Sequence, residues 1–141
     1  MADAPIPSVL AMLVCDQVIA EQGTSKKSLI GVFDNINAPA FPAQTRLAIY
    51  VKFADAEGQY KFRIRLVKLK DETVLADLNA DMTITEQASS TEFAVNMIGI
   101  ILPEPGQYEF QLWGNDTYLH RITMNAVQGG FSWPSQPPHL Q

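Results

Sequence analysis

An all-β fold is what this sequence predicts: an antiparallel two-sheet β-sandwich, immunoglobulin-like or C2-like, with about eight strands. Three observations predict it. Glu57-Gly-Gln-Tyr-Lys-Phe-Arg-Ile-Arg-Leu66 alternates with a period of two, setting Tyr60, Phe62, Ile64 and Leu66 against Lys61, Arg63 and Arg65. Pro105-Gly-Gln-Tyr-Glu-Phe-Gln-Leu-Trp113 echoes it, with Tyr108, Phe110 and Leu112 against Glu109 and Gln111. Turn signals recur roughly every 8–14 residues, and no segment reads as a convincing helix. A single sheet would leave its apolar face wet, so two facing layers are the natural closure, with a small barrel as the alternative.

Residues 1–8, with Pro5 and Pro7, read as an extended lead-in. The first strand spans Val9–Asp16, an almost continuous apolar run that suits a central strand buried on both faces. Glu21–Lys27 is a polar turn around Gly23, and Ser28–Asn37 returns as a second strand. Pro39 and Pro42 supply no sheet donors, so 38–43 is a crossing loop. Arg46–Phe53 is the third strand, with Leu47, Ile49, Val51 and Phe53 inward. Asp55–Gly58 then makes a hairpin into the Gly-Gln-Tyr strand. Lys70–Thr73 turns into Val74–Ile84, and the polar link Thr85–Thr91 leads to Phe93, Val95, Met97 and Leu102. Pro103–Gly106 punctuates the echo strand, and Gly114–Thr117 turns into the last strand, Tyr118–Val127, with Ile122 and Met124 inward.

The 141 residues suit one domain, 1–127, followed by a Pro/aromatic tail, 128–141. A net charge of −5 argues against nucleic acid as a partner, which needs a basic surface. No apolar run approaches the roughly 18 residues that cross a bilayer, so no membrane partner is expected. The opening residues carry no charged segment followed by an apolar one, so no signal peptide is expected. With Cys15 the single cysteine, a reducing cytoplasm fits best.

If successive strands alternate in direction, loops 20–27, 54–59, 85–91 and 114–117 share one end. Loops 38–44, 70–73 and 102–106 share the other, with both termini. The first end gathers Asp55, Glu57, Glu86 and Asp116, with Glu21 and Asn115, which is how calcium-binding β domains collect hard oxygens. Turn chemistry alone also enriches such residues, and Lys26 and Lys27 sit among them. The second end gathers prolines with Phe41 and Pro42, and the tail carries Phe131, Trp133 and Pro134. Phe131 and Trp133 either fill a groove, on this subunit or a neighbour, or belong to a disordered tail.

Arg46, Lys52, Lys61, Arg63 and Arg65 form a basic stripe on the outer face of the expected hairpin. That suits an anionic partner, or simply cross-strand pairing with Asp81 and Tyr50 near Arg63. Trp113 faces outward by parity and suits a partner contact. Asp16 and Asp34 read as strand-end backbone acceptors, and Cys15 as core. With His120 and His139 the only histidines, and no nucleophile-elbow, zinc or phosphate-loop motif, no catalytic residue and no cofactor is expected.

Val14-Cys-Asp-Gln-Val-Ile19, then Ser28-Leu-Ile-Gly-Val-Phe-Asp-Asn-Ile36, Pro39 and Phe41-Pro42, resembles the start of an uncharacterised bacterial domain family. Pro103-Glu-Pro-Gly106 with Tyr108 and Phe110 resembles its closing strands, so the likeness covers roughly 9–127. The tail lies outside it. The resemblance implies a cytoplasmic β-sandwich and brings no known activity. The expected function is a non-enzymatic structural or protein-interaction module, with a protein partner or homo-oligomer assembled through the tail and proline-rich end. The alternative is a calcium- or small-ligand-binding sandwich using the acidic loops.

Overall fold

The period-two pattern becomes nine strands in the computed structural model, which describes residues 4–86 and 90–129 and has no helix among them. They are β1 (Ser8–Ala20), β2 (Lys27–Val32), β3 (Asn35–Ala38), β4 (Ala43–Ala54), β5 (Gly58–Lys68), β6 (Thr73–Ile84), β7 (Thr91–Leu102), β8 (Gly106–Gly114) and β9 (Thr117–Gln128). One sheet has the order β2-β1-β4-β7 and the other β3-β9-β8-β5-β6. Every inward residue expected on β4, β5 and β8 is buried, and together they form the shared core. Phe62 is its aromatic centre, with ring centroids 4.9 Å from Phe53 and 5.3 Å from Phe93, both on the opposite sheet. Such pairs contribute about 0.5–1.5 kcal/mol each beyond area burial.

The expected hairpin at Asp55–Gly58 is corrected by this topology. β4 pairs with β1 and β7, whereas β5 pairs with β6 and β8. Residues 55–57 are therefore an arch that carries the chain from one sheet to the other. Burying Phe53 and Phe62 against each other across the core requires that crossing, since strands side by side in one sheet would not face each other.

The Gly-Gln-Tyr echo marks two of the three crossings from the four-stranded to the five-stranded sheet, β4 to β5 and β7 to β8. Gly58 and Gly106 have φ values of 117° and 146°, a conformation that favours glycine. Two residues later the buried tyrosine reaches back to its own arch. The Tyr60 hydroxyl accepts the Glu57 N–H at 3.0 Å and donates to the Pro5 carbonyl at 2.7 Å. The Tyr108 hydroxyl accepts the Glu104 N–H at 3.3 Å and donates to the Glu104 carbonyl at 2.5 Å.

The second expected strand also divides. β2 ends at Val32, the chain reverses through Phe33–Asp34, and β3 runs parallel to β9 in the other sheet. The sheets are thus not wholly antiparallel. Loops 38–42, 69–72 and 103–105 share one end, whereas the β1–β2 hairpin carries Lys27, beside loop 21–26, to Glu92 near the start of β7. The N-terminal residues lie at the opposite end from those three loops, where Ser8 Oγ donates to Asp55 Oδ2 at 3.1 Å. β1 is central, as expected, but it is not buried on both faces: Leu10 and Leu13 are exposed.

Removing either tyrosine hydroxyl leaves half-buried arch amide and carbonyl groups without their partner. Tyr60→Phe and Tyr108→Phe are each expected to lower the unfolding free energy by about 1–2 kcal/mol. Chemical denaturation checks this, with Tyr118→Phe, on an exposed ring, as the variant expected to show no change.

Candidate interaction surface

The β1–β4 ladder runs from Ser8↔Ala54 to Cys15↔Ala48 and ends there. Beyond it β1 pairs only with β2, from Cys15↔Val32 to Ala20↔Lys27, while β4 continues with β7. The departure centres on Asp16 and Gly31. Gly31 has φ 70°, which strains any other residue, and a Cβ on it would meet Asp16 Oδ2 at 2.3 Å, so a side chain there would have to push Asp16 aside. The freed hairpin leans across the outer face of β4 and β7, where Val18 shares a groove with Arg46, Asn96 and Ile98.

Lys27 Nζ meets Glu92 Oε1 at 3.0 Å, joining the two edge strands of one sheet. Four flat strands would hold those edges about 14 Å apart, so this sheet is the one that curls into a half-barrel. Beneath the hairpin lie Cys15, Ala48 and Tyr50, buried although they belong to no part of the main core. The Tyr50 hydroxyl donates to Glu92 Oε2. Burial, then the Glu92 carboxylate, pushes the Tyr50 phenol up to about 12. The Tyr50 hydrogen bond, then Lys27, holds Glu92 below the usual carboxylate range. Burial raises the Cys15 thiol, which suits an inert core position.

The back of the hairpin faces away from this second core. By register, Gln17 and Ile19 of β1 share a face with Ser28, Ile30 and Val32 of β2. Ile19, Ile30 and Val32 are 43%, 46% and 53% exposed, and no charged residue stands among the five. Leu13 of β1 is 39% exposed, and Ile98 on edge strand β7 is 82% exposed. Most of the exposed large apolar side chains among the described residues thus belong to the four-stranded sheet.

The outer face of the five-stranded sheet differs in kind. Arg63 grips Asp77 with two bonds, Nε–Oδ1 at 2.8 Å and Nη2–Oδ2 at 2.5 Å, and Arg65 adds a third at 3.5 Å. Arg65 also lies 5.7 Å from the centre of the Trp113 ring, whose edge contact with Tyr118 is 5.3 Å between centroids. Trp113 is half-buried and occupied from both sides. Glu109, only 5% exposed, accepts Gln111 Nε2 at 2.8 Å and Arg121 Nη1 at 3.5 Å. Parity gives no sign of a buried carboxylate there, and only the flanking Gln and Arg hint at it.

The basic stripe is corrected by the arch: Arg46 and Lys52 lie on β4, while Lys61, Arg63 and Arg65 lie on β5 of the other sheet. The β5–β6 register sets Lys61 opposite Asp81 and Arg63 opposite Asn79, with Arg63 reaching diagonally to Asp77. Tyr50 is in the other sheet altogether.

Asp55, Glu57, Glu86, Asn115 and Asp116 do share one end. Asn115 is fully engaged there, its Oδ1 accepting the Lys61 N–H at 2.8 Å and its Nδ2 donating to the Gln59 carbonyl at 3.1 Å. Among the described residues, no three His, Cys, Asp or Glu side chains come together as metal ligands. At the proline end, Phe41 is half-buried against the core and Pro42, after a cis peptide, is exposed. Pro5 and Pro7 lie at the opposite end, with the N-terminal residues. Gly129 leaves the end that holds Phe41 and Pro42, its N–H bonded to the Ala38 carbonyl at 3.0 Å. Phe131, Trp133, Pro134 and His139 lie outside the described residues. Asp16 and Asp34 are exposed, the latter's backbone carbonyl accepting the Asn125 N–H at 2.9 Å, and His120 is exposed on β9.

The Tyr50–Glu92–Lys27 contact gives a pH signature at both extremes. Tyr50, raised when folded, contributes stability that is present below pH 10 and lost as pH rises through about 12. Glu92, lowered when folded, contributes stability present above about pH 4.5 and lost as pH falls through its folded value. Tyr50→Phe is expected to cost about 1–2 kcal/mol at neutral pH and to flatten the alkaline fall, read from denaturation midpoints across pH.

Among solved structures, the chain is similar to a beta-glucosidase from Listeria innocua in complex with isofagomine: 7% identity, TM-score 0.42, 86% of this chain and 16% of that one. It is similar to the alkylpurine DNA glycosylase AlkC of Pseudomonas fluorescens bound to DNA containing an abasic site analog: 10% identity, TM-score 0.44, 82% and 30%. It is also similar to the CARDB domain of the PF1109 protein from Pyrococcus furiosus in complex with di-metal ions: 11% identity, TM-score 0.39, 86% and 89%. The chain spans less than a third of the first two, and likenesses this low carry no argument about what it does. No curated protein matches. The model of a family of unknown function (DUF6941) matches residues 10–127, and the chain belongs to that family.

Proposed function

We propose that this chain is a non-enzymatic protein-interaction module, a β-sandwich with one curled sheet, whose partner is a second copy of itself. The observation that carries this reading is the uncharged apolar back of the β1–β2 hairpin, Ile19, Ile30 and Val32 with Gln17 and Ser28 between them. The largest apolar patch on a typical monomer is about 300–600 Å² and is often functional. A patch with no charge suits a two-fold contact, because symmetry then sets no like charges against each other.

The polar side chains support the non-enzymatic half of the reading. Arg63, Arg65 and Asp77 engage one another, as do Glu109, Gln111 and Arg121, and Glu92 holds Tyr50 and Lys27. A cytoplasmic location goes with a lone buried thiol at Cys15. The patch is smaller than the about 800 Å² per partner of a standard interface, so association is weak and concentration-dependent.

Sedimentation velocity over a wide concentration range tests this. The wild-type chain is expected to pass from monomer to dimer, and the Ile19→Lys/Ile30→Lys variant to stay monomeric with an unchanged melting temperature. A wild-type chain that remains monomeric throughout, or a variant that still dimerises, contradicts the reading.

A further inference from the structure

Where β1 departs from β4, it leaves a cleft at the seam between the two sheets. Asp16, Gly31, Phe33, Asn35, Ile36 and Thr45 line it around a volume of about 700 Å³, together with Val32, which the cleft shares with the apolar patch. That lies within the about 300–1,000 Å³ of pockets that hold small molecules. Phe33 and Ile36 both pack against the main core, so the apolar wall is supported from behind, and the Phe33 N–H donates to the Val14 carbonyl at 3.1 Å. Asp16 lies over Gly31, whose missing Cβ leaves the space that the carboxylate occupies. Between Ala43 and Leu47, β4 pairs with β7 alone, so main-chain groups on its other side have no strand partner.

We infer that this cleft binds a small organic cation, a primary ammonium joined by a short linker to an apolar ring. Charge selects the head group. Asp16 is the only charged residue lining the cleft, and it makes no ion pair with any described residue. Arg46 shares an adjoining groove with Asp16 but does not line the cleft. The net charge of −5 adds a longer-range pull on a cation. A primary ammonium carries donors and no acceptor, and the cleft answers it with acceptors: the Asp16 carboxylate, the Asn35 side-chain carbonyl and the Thr45 hydroxyl. The Thr45 hydroxyl donates to the Arg46 carbonyl at 3.4 Å, which leaves its oxygen free to accept. Phe33 adds a ring whose face attracts a cation, and with Ile36 it gives the ligand's own ring an apolar wall. A wholly apolar ligand would desolvate Asp16 without pairing it, and an anion would meet its charge directly.

Phenethylamine is the probe, titrated by calorimetry into the full chain. Because Val32 belongs to both the cleft and the dimer patch, the titration is run on the wild-type chain and on Ile19→Lys/Ile30→Lys, which removes the patch. Saturable binding is expected in both, and phenylpropionate, the same ring on an anionic head, is expected not to bind. Asp16→Asn removes the charge with little change of shape and is expected to weaken phenethylamine about tenfold or more. Thr45→Arg, which sets a cation on the cleft wall, is expected to abolish binding. Circular dichroism checks that each variant is folded, and either one alone carries the test. No saturable binding of phenethylamine to the wild-type chain up to about 10 mM overturns the inference. So does binding that survives Asp16→Asn and Thr45→Arg unchanged, or phenylpropionate binding as well as the amine. Binding lost from Ile19→Lys/Ile30→Lys also overturns it, because the site then needs a second copy. A wild-type chain that stays monomeric and binds the amine supports the cleft and contradicts the dimer reading alone.

Discussion

Two buried tyrosine hydroxyls determine which strands face each other and which lie side by side. Each sits two residues past a glycine whose φ only glycine adopts freely, and each ties its ring to the arch that delivered it. Tyr60 and Tyr108 are also members of the core they help to close, so the polar staple and the apolar packing form together. With the arches set, Phe53 and Phe62 meet across the core, and β5 is free to pair with β6 and β8. One hydrogen bond is worth only about 1 kcal/mol net, but an unsatisfied arch amide and carbonyl at the sheet seam would cost more.

The crossings also explain why the two outer faces are so different. The five-stranded sheet keeps its charges in register with one another, so Arg63 and Arg65 share Asp77 and Trp113 is sandwiched by Arg65 and Tyr118. The four-stranded sheet instead folds its β1–β2 hairpin over its own face, fastened by Lys27 to Glu92. That curl buries Cys15, Ala48 and Tyr50 in a small second core and turns Ile19, Ile30 and Val32 outward. The apolar surface and the cleft beside Thr45 are both products of the same departure of β1 from β4.

Much of the fold was legible because parity is local. Leu47 to Phe53, Tyr60 to Leu66 and Tyr108 to Leu112 are dry where a two-residue period places them. The Gly114–Thr117 turn was equally plain, and Asn115 and Asp116 both take positive φ there, as a tight two-residue turn demands. Parity cannot separate a hairpin from an arch, however, since both bury the same alternate residues. That blindness put five cations on one hairpin. The reversal at Phe33–Asp34 lay hidden in an apolar run, with Gly31 its nearest signal. The Lys27–Glu92 contact joins residues 65 apart, a separation at which local pattern is silent.

The arch between β4 and β5 is the feature from which the rest follows, and proton NMR reads it directly. Nuclear Overhauser contacts are expected between the Phe53 and Phe62 rings and between the backbones of Tyr50 and Ala94, with none between the backbones of β4 and β5. Cross-strand backbone contacts pairing Val51 or Phe53 with residues 60–62 would place both strands in one sheet and contradict the account.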